Sequence, residues 1–140
     1  MIVVDASVAV KWFLPEVGSD HARALLTQDR RLIAPDVVRV EVLGAVARQF
    51  HKDLLSREQV LRASERWKRL LDDGELVLYP FEELTDAALA LSIEARHAVM
   101  DCTYLALAKR YNAELLTADK PLHSRGTKVY ANITLLPGIV

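Results

Sequence analysis

The chain has 140 residues, 51% of them hydrophobic and 26% charged, and its net charge is −1. A lone cysteine, Cys102, excludes an internal disulfide, and no Cys/His group has zinc-ligand spacing. No run approaches the roughly 18 apolar residues of a membrane span. The N-terminus enters an apolar stretch with no basic leader, so a single cytoplasmic domain spanning 1–140 is expected.

Ile2 to Asp5 opens with a short apolar, β-branched run, the pattern of a strand buried on both faces. A helix is expected from about Ser7 to before Pro15, and an amphipathic helix over about 18–28. A short strand at Leu32-Ile33-Ala34 follows, and Pro35-Asp36 opens a long helix to about His51. Ser56-x-x-Gln59 is a capping box for the next helix, with Val60, Leu61, Ala63, Ser64, Trp67, Leu70 and Leu71 as its buried stripe. Asp72-Asp73-Gly74 ends it, and Glu75 to Tyr79 is strand-like. Helices over about 83–96 and 101–112, then strands at 114–117 and 133–136, complete the chain. Strands alternating with helices imply an α/β fold, a parallel sheet covered on both faces.

Charge is distributed unevenly. Residues 30–69 hold ten Lys/Arg against five acids, a balance of +5, and the remainder carries −6. Such a block suits an RNA backbone, with Arg48, Lys52, Arg62 and Arg66 as candidate contacts. It also suits a solvated helix face, because Glu58–Arg62 and Glu65–Arg69 have i,i+4 spacing.

Four acids adjoin apolar sequence: Asp5, Glu41, Asp101 and Asp119. Taken singly, Asp5 and Asp101 read as helix caps and Asp119 as a turn former in Ala118-Asp119-Lys120-Pro121. Glu41 resists such a reading, since its i±3 and i±4 neighbours Val37, Val38, Gly44 and Ala45 include no basic partner. Asp5 and Asp119 each follow a strand, and ligands in open parallel sheets bind beyond the carboxyl ends of the strands. If the four converge, each close pair repels by roughly 4 kcal/mol at an effective dielectric near 20. Protons or a hard cation must then neutralise them. Ser7 and Thr117 are placed to orient a carboxylate or water beside such a cation, and equally serve as a cap and a strand former. His21, His51, His97 and His123 are scattered and read as surface or packing residues; Trp12, Trp67 and the tyrosines read as packing.

Ile2-Val3-Val4-Asp5-Ala6-Ser7-Val8, the helical Glu41, Asp101-Cys102-Thr103-Tyr104-Leu105-Ala106-Leu107-Ala108 and Leu116-Thr117-Ala118-Asp119, in this order and spacing, resemble a PIN-domain nuclease. Trp12-Phe13-Leu14-Pro15-Glu16 is similar to the VapC-type toxins of bacterial and archaeal toxin–antitoxin pairs. The resemblance runs from Met1 to about Pro137. It implies a PIN-like three-layer α/β/α sandwich around a five-stranded parallel sheet in the order 3-2-1-4-5. It also implies a Mg²⁺- or Mn²⁺-dependent endoribonuclease, commonly a homodimer, restrained by a small cognate antitoxin. The matching metal-site positions are Asp5, Glu41, Asp101 and Asp119; Asp5 and Asp101 are expected as central ligands, with Glu41 and Asp119 binding or orienting waters or completing a second site. One departure is Lys120-Pro121-Leu122-His123, where members often carry a further acid or Asn after the last Asp. Two other readings stand beside it: a PIN fold kept as a catalytically silent binding module, and an RNA-processing nuclease that is not a toxin. A receiver-type phosphoacceptor is disfavoured, because Asp5 has no acidic neighbour and the third strand ends Leu78-Tyr79-Pro80.

Overall fold

A computed structural model describes residues 1–139. Five strands form one all-parallel sheet: β1 (Ile2–Val4), β2 (Leu32–Pro35), β3 (Val77–Tyr79), β4 (Glu114–Thr117) and β5 (Ile133–Leu135). Their spatial order is β3-β2-β1-β4-β5, as the resemblance implied. The central strands are short, and Val3, Val4, Ile33 and Leu115 are fully buried. Covering layers therefore lie on both faces, which explains why these strands read as unbroken apolar runs rather than alternating ones. Register places Val3 beside Ile33 on one side and Leu115 on the other. Chain order reverses between β1 and β4, so the crevice beyond their carboxyl ends is the switch point of the sheet.

Among the described residues seven α-helices accompany the sheet: α1 (Ala6–Ala9), α2 (Ser19–Ala24), α3 (Val38–His51), α4 (Arg57–Asp72), α5 (Thr85–Ala95), α6 (Val99–Tyr111) and α7 (Lys120–Gly126). Short 3₁₀ turns at Val10–Trp12, Leu25–Thr27 and Phe81–Leu84 continue α1 and α2 and lead into α5. The capping box of α4 is formed: Ser56 Oγ accepts from the Gln59 backbone N–H, and the Gln59 side chain accepts from the Ser56 N–H. On α6 seven consecutive residues, Cys102 to Ala108, are buried, which makes it the central helix of the core. Trp12 and Trp67 are buried as expected, with ring centroids 6.5 Å apart.

Three boundaries differ from the sequence reading. α3 begins at Val38 rather than at Pro35-Asp36, because Leu32–Pro35 is spent on β2 and Asp36 N–H donates to Tyr79 O. Glu41 therefore lies in the first turn of α3. α6 begins two residues before Asp101, which sits in its first turn rather than at its start. The segment after Asp119 is not a bare turn but α7; with Leu122 as its one large buried side chain, no helical periodicity announces it.

Candidate active site

The four acids line one cleft of about 400 Å³ at the switch point. Each reaches it from a different element, and each is held by its own hydrogen-bond donor.

Asp5 follows β1 and is 4% exposed. Its Oδ2 accepts from Ser7 Oγ at 2.5 Å and from Thr117 Oγ1 at 2.8 Å. Those hydroxyls are themselves tied to the β4 side, since Ala118 N–H donates to Ser7 Oγ and Asp119 N–H donates to Thr117 Oγ1. Glu41, half-buried on α3, accepts at Oε1 from the Tyr104 hydroxyl at 2.6 Å. Asp101 Oδ2 lies 2.7 Å from His97 Nε2. Asp119 caps α7, its Oδ1 accepting from the Leu122 N–H at 3.1 Å.

The electrostatics show that the acids feel one another. Burial pushes the Asp5 carboxyl up from 3.8 to about 6; the Ser7 and Thr117 hydrogen bonds oppose this, and the charges of Asp101 and Asp119 add to it. Glu41 is also raised, first by burial, against the Tyr104 hydrogen bond, with Asp5 and Asp101 raising it further and Arg48 lowering it. Arg48 lies two helical turns from Glu41 on α3, beyond the i±4 neighbours considered from sequence. Burial, together with the charges of Asp5 and Glu41, raises the Tyr104 hydroxyl far above its usual range. It stays protonated and donates to Glu41.

Three contributors escaped the sequence reading. His97 is packed, its side chain 7% exposed, but it also joins Asp101 and Asp119 in a group whose potential ligand atoms lie within 4.8 Å of one another. Its i,i+4 spacing to Asp101 was the available signal. Tyr104 is packed as expected, but its hydroxyl braces Glu41. Lys11, 7% exposed, lines the cleft and reaches Glu16 at 3.7 Å; a lysine inside the apolar run Val8-Ala9-Val10-Lys11-Trp12 was the hint. His21 and His51 are exposed, and His123 is half-buried on α7.

The basic candidates separate. Arg48 lines the cleft with Lys11 and Gln49. Arg66 lines a different groove, its guanidinium 5.5 Å from the centre of the Phe13 ring. Lys52, just past α3, and Arg62 on α4 are exposed and line neither groove.

Several carboxylates, two of them raised in pKa, outnumber Lys11 and Arg48 in the cleft lining and form a donor set suited to a hard divalent ion. Asp101 and Asp119 share with His97 the group of potential ligand atoms within 4.8 Å of one another, while Asp5, expected beside Asp101 at the centre, and Glu41 line the same cleft outside that group.

A parallel 3-2-1-4-5 sheet gathering acids at its switch point defines an α/β domain with an acidic, cation-ready cleft. The PIN domain model matches residues 2–127, and the chain belongs to the PIN domain family. Among characterised proteins it is similar to Ribonuclease VapC9 of Mycobacterium tuberculosis, 33% identical over 137 residues, covering 98% of this chain and 99% of that one. It is 28% identical to Ribonuclease VapC3 of Pyrobaculum aerophilum over 122 residues, covering 86% and 91%. Ribonuclease VapC12 of Mycobacterium tuberculosis is 32% identical over 120 residues, covering 85% and 87%. No helix among the described residues is long and apolar enough to cross a membrane.

Proposed function

We propose that this chain is a single-domain, divalent-metal-dependent endoribonuclease and the toxin of a VapBC-type pair. The observation that carries the reading is the gathering of Asp5, Glu41, Asp101 and Asp119 in one cleft, each with a dedicated hydrogen-bond partner. Kinship with proteins named as VapC ribonucleases supplies the substrate class. A small antitoxin as partner and a homodimer belong to the same proposal, as the family resemblance implies them.

Asp101 and Asp119 would hold Mg²⁺ or Mn²⁺ directly, with Asp5 and Glu41 holding or orienting water around it. The ion, when bound, supplies Lewis-acid charge to a phosphoryl oxygen and lowers the pKa of water. Ser7 and Thr117 keep Asp5 in one rotamer, and Tyr104 does the same for Glu41, so the cleft reorganises little as substrate enters. Lys11 and Arg48 on the walls would take the flanking phosphates. The outer carboxylate Glu41 accepts the proton of the attacking water. Attack by water leaves the ribose 2′-hydroxyl unused, and with the 3′-oxygen as the leaving group the products carry 5′-phosphate and 3′-hydroxyl ends.

The test is incubation of the purified protein with its host's total RNA and Mg²⁺ or Mn²⁺, beside Asp101→Asn, with sequencing of new 5′-phosphate ends. Sharp ends from the wild type alone are expected. Identical patterns from both proteins would remove the acids from the chemistry and leave a PIN-fold binding module.

A further inference from the structure

His97 sits in the turn between α5 and α6 and is pinned at four atoms. Its backbone N–H donates to Ser92 O at 3.3 Å, and its carbonyl accepts from Ser92 Oγ at 2.5 Å. One ring nitrogen, Nε2, faces Asp101 Oδ2 at 2.7 Å. The other, Nδ1, faces Arg125 Nη1 of α7 at 3.5 Å, and the same Nη1 also donates to Arg96 O. A guanidinium has only donors, so Nδ1 must accept and the ring proton belongs on Nε2. Arg125, His97 and Asp101 thus form a directed chain of hydrogen bonds across α7, the α5–α6 turn and α6.

Nε2 has two possible uses here. As a metal ligand it would have to shed its proton, moving it to Nδ1 against the donor of Arg125. As an N–H donor it keeps the arrangement present and occupies one oxygen of Asp101. The second use fixes the carboxylate's rotamer and leaves its other oxygen for the cleft. A ligand so held pays less ordering entropy when an ion arrives.

We propose that His97, set as an Nε2–H donor by Arg125, is a positioning residue that orients Asp101 for divalent-ion binding. The inference rests on the metal-site reading above and extends it to two residues outside the acid set.

Titration of the full chain with Mn²⁺ alone, followed by electron paramagnetic resonance, tests it without reference to catalysis. Loss of the donor in His97→Leu is expected to weaken Mn²⁺ binding by about 10–100-fold, the usual effect of removing such a partner. His97→Gln carries an amide N–H to nearly the same place and is expected to stay within a few-fold of wild type. Wild-type affinity in His97→Leu overturns the proposal. So does a loss in His97→Gln as large as in His97→Leu, because donation would then not be the role. Should His97→Leu not fold, imidazole ¹⁵N resonances of the unaltered metal-free protein decide the matter at mildly alkaline pH: protonation at Nε2 supports the proposal and protonation at Nδ1 overturns it. Asp101→Asn is the control that separates the two claims: unchanged Mn²⁺ binding there sinks the metal site itself.

Discussion

Asp5 lies almost wholly out of water between β1 and β4, with only two hydroxyls to solvate its charge. Its carboxyl is raised to about 6 where the unfolded chain has 3.8, so between these values the folded protein holds a proton that the unfolded chain has released. Stability of the metal-free protein therefore falls as pH rises through that window. The loss is on the order of 3 kcal/mol for a shift of this size. Urea melts of the metal-free protein should give a lower midpoint at neutral pH than near pH ~5. Asp5→Asn, which places an uncharged amide there, should flatten the dependence and stabilise the metal-free protein at neutral pH. An Asp5→Asn curve parallel to wild type would mean that Asp5 is not the group responsible. Glu41, raised for the same reason, adds in the same direction.

At the level of elements, α4 is set by local chemistry and stands apart from the acids. Its capping box ties Ser56 and Gln59 reciprocally at an exposed helix start. Ser56→Ala should cost about 1 kcal/mol and lower Tm by a few degrees without altering metal affinity. A metal-affinity change of tenfold would contradict the separation of α4 from the cleft. This helix was legible in the sequence because cap, apolar stripe and Gly74 stop agree, although Leu61, read as part of the buried stripe, is exposed. α7 was not, because its first turn, Lys120-Pro121-Leu122, is also turn chemistry and only the position of Leu122 under the sheet decides between them. The site divides in the same way. The acids stood out against apolar surroundings, and Ser7 and Thr117 could be placed by their two-residue spacing from Asp5 and Asp119. His97 and Tyr104 look like ordinary packing until α6 carries Asp101 to the first and sets the second against Glu41 of α3.

On the scale of the whole molecule, the basic stretch 30–69 does not act as one surface. Folding turns Arg48 into the acidic cleft and lays Arg66 over Phe13 in another groove. RNA bound without metal should therefore respond differently to the two reversals. Arg48→Glu should weaken binding and make the log-affinity against log-salt slope shallower by about 0.7, one phosphate's worth on a single strand. Arg66→Glu should leave the slope unchanged. Equal effects would restore the basic stretch as a single diffuse contact.

The dedicated partners of the acids share one further property, their place in the chain. Asp5 and Glu41 belong to the first third, whereas their braces Tyr104 and Thr117, and the remaining acids Asp101 and Asp119 with His97, all lie within residues 97–119. Ser7 alone is made early. A chain grows from its N-terminus at about 5–20 residues per second. A ribosome-bound fragment that stops short of residue 97 therefore carries Asp5 with Ser7 as its one brace, Glu41 with none, and no complete cleft. On the ribonuclease reading proposed above, the order of residues withholds the acid cleft, and with it any cutting, until residue 119 has been made.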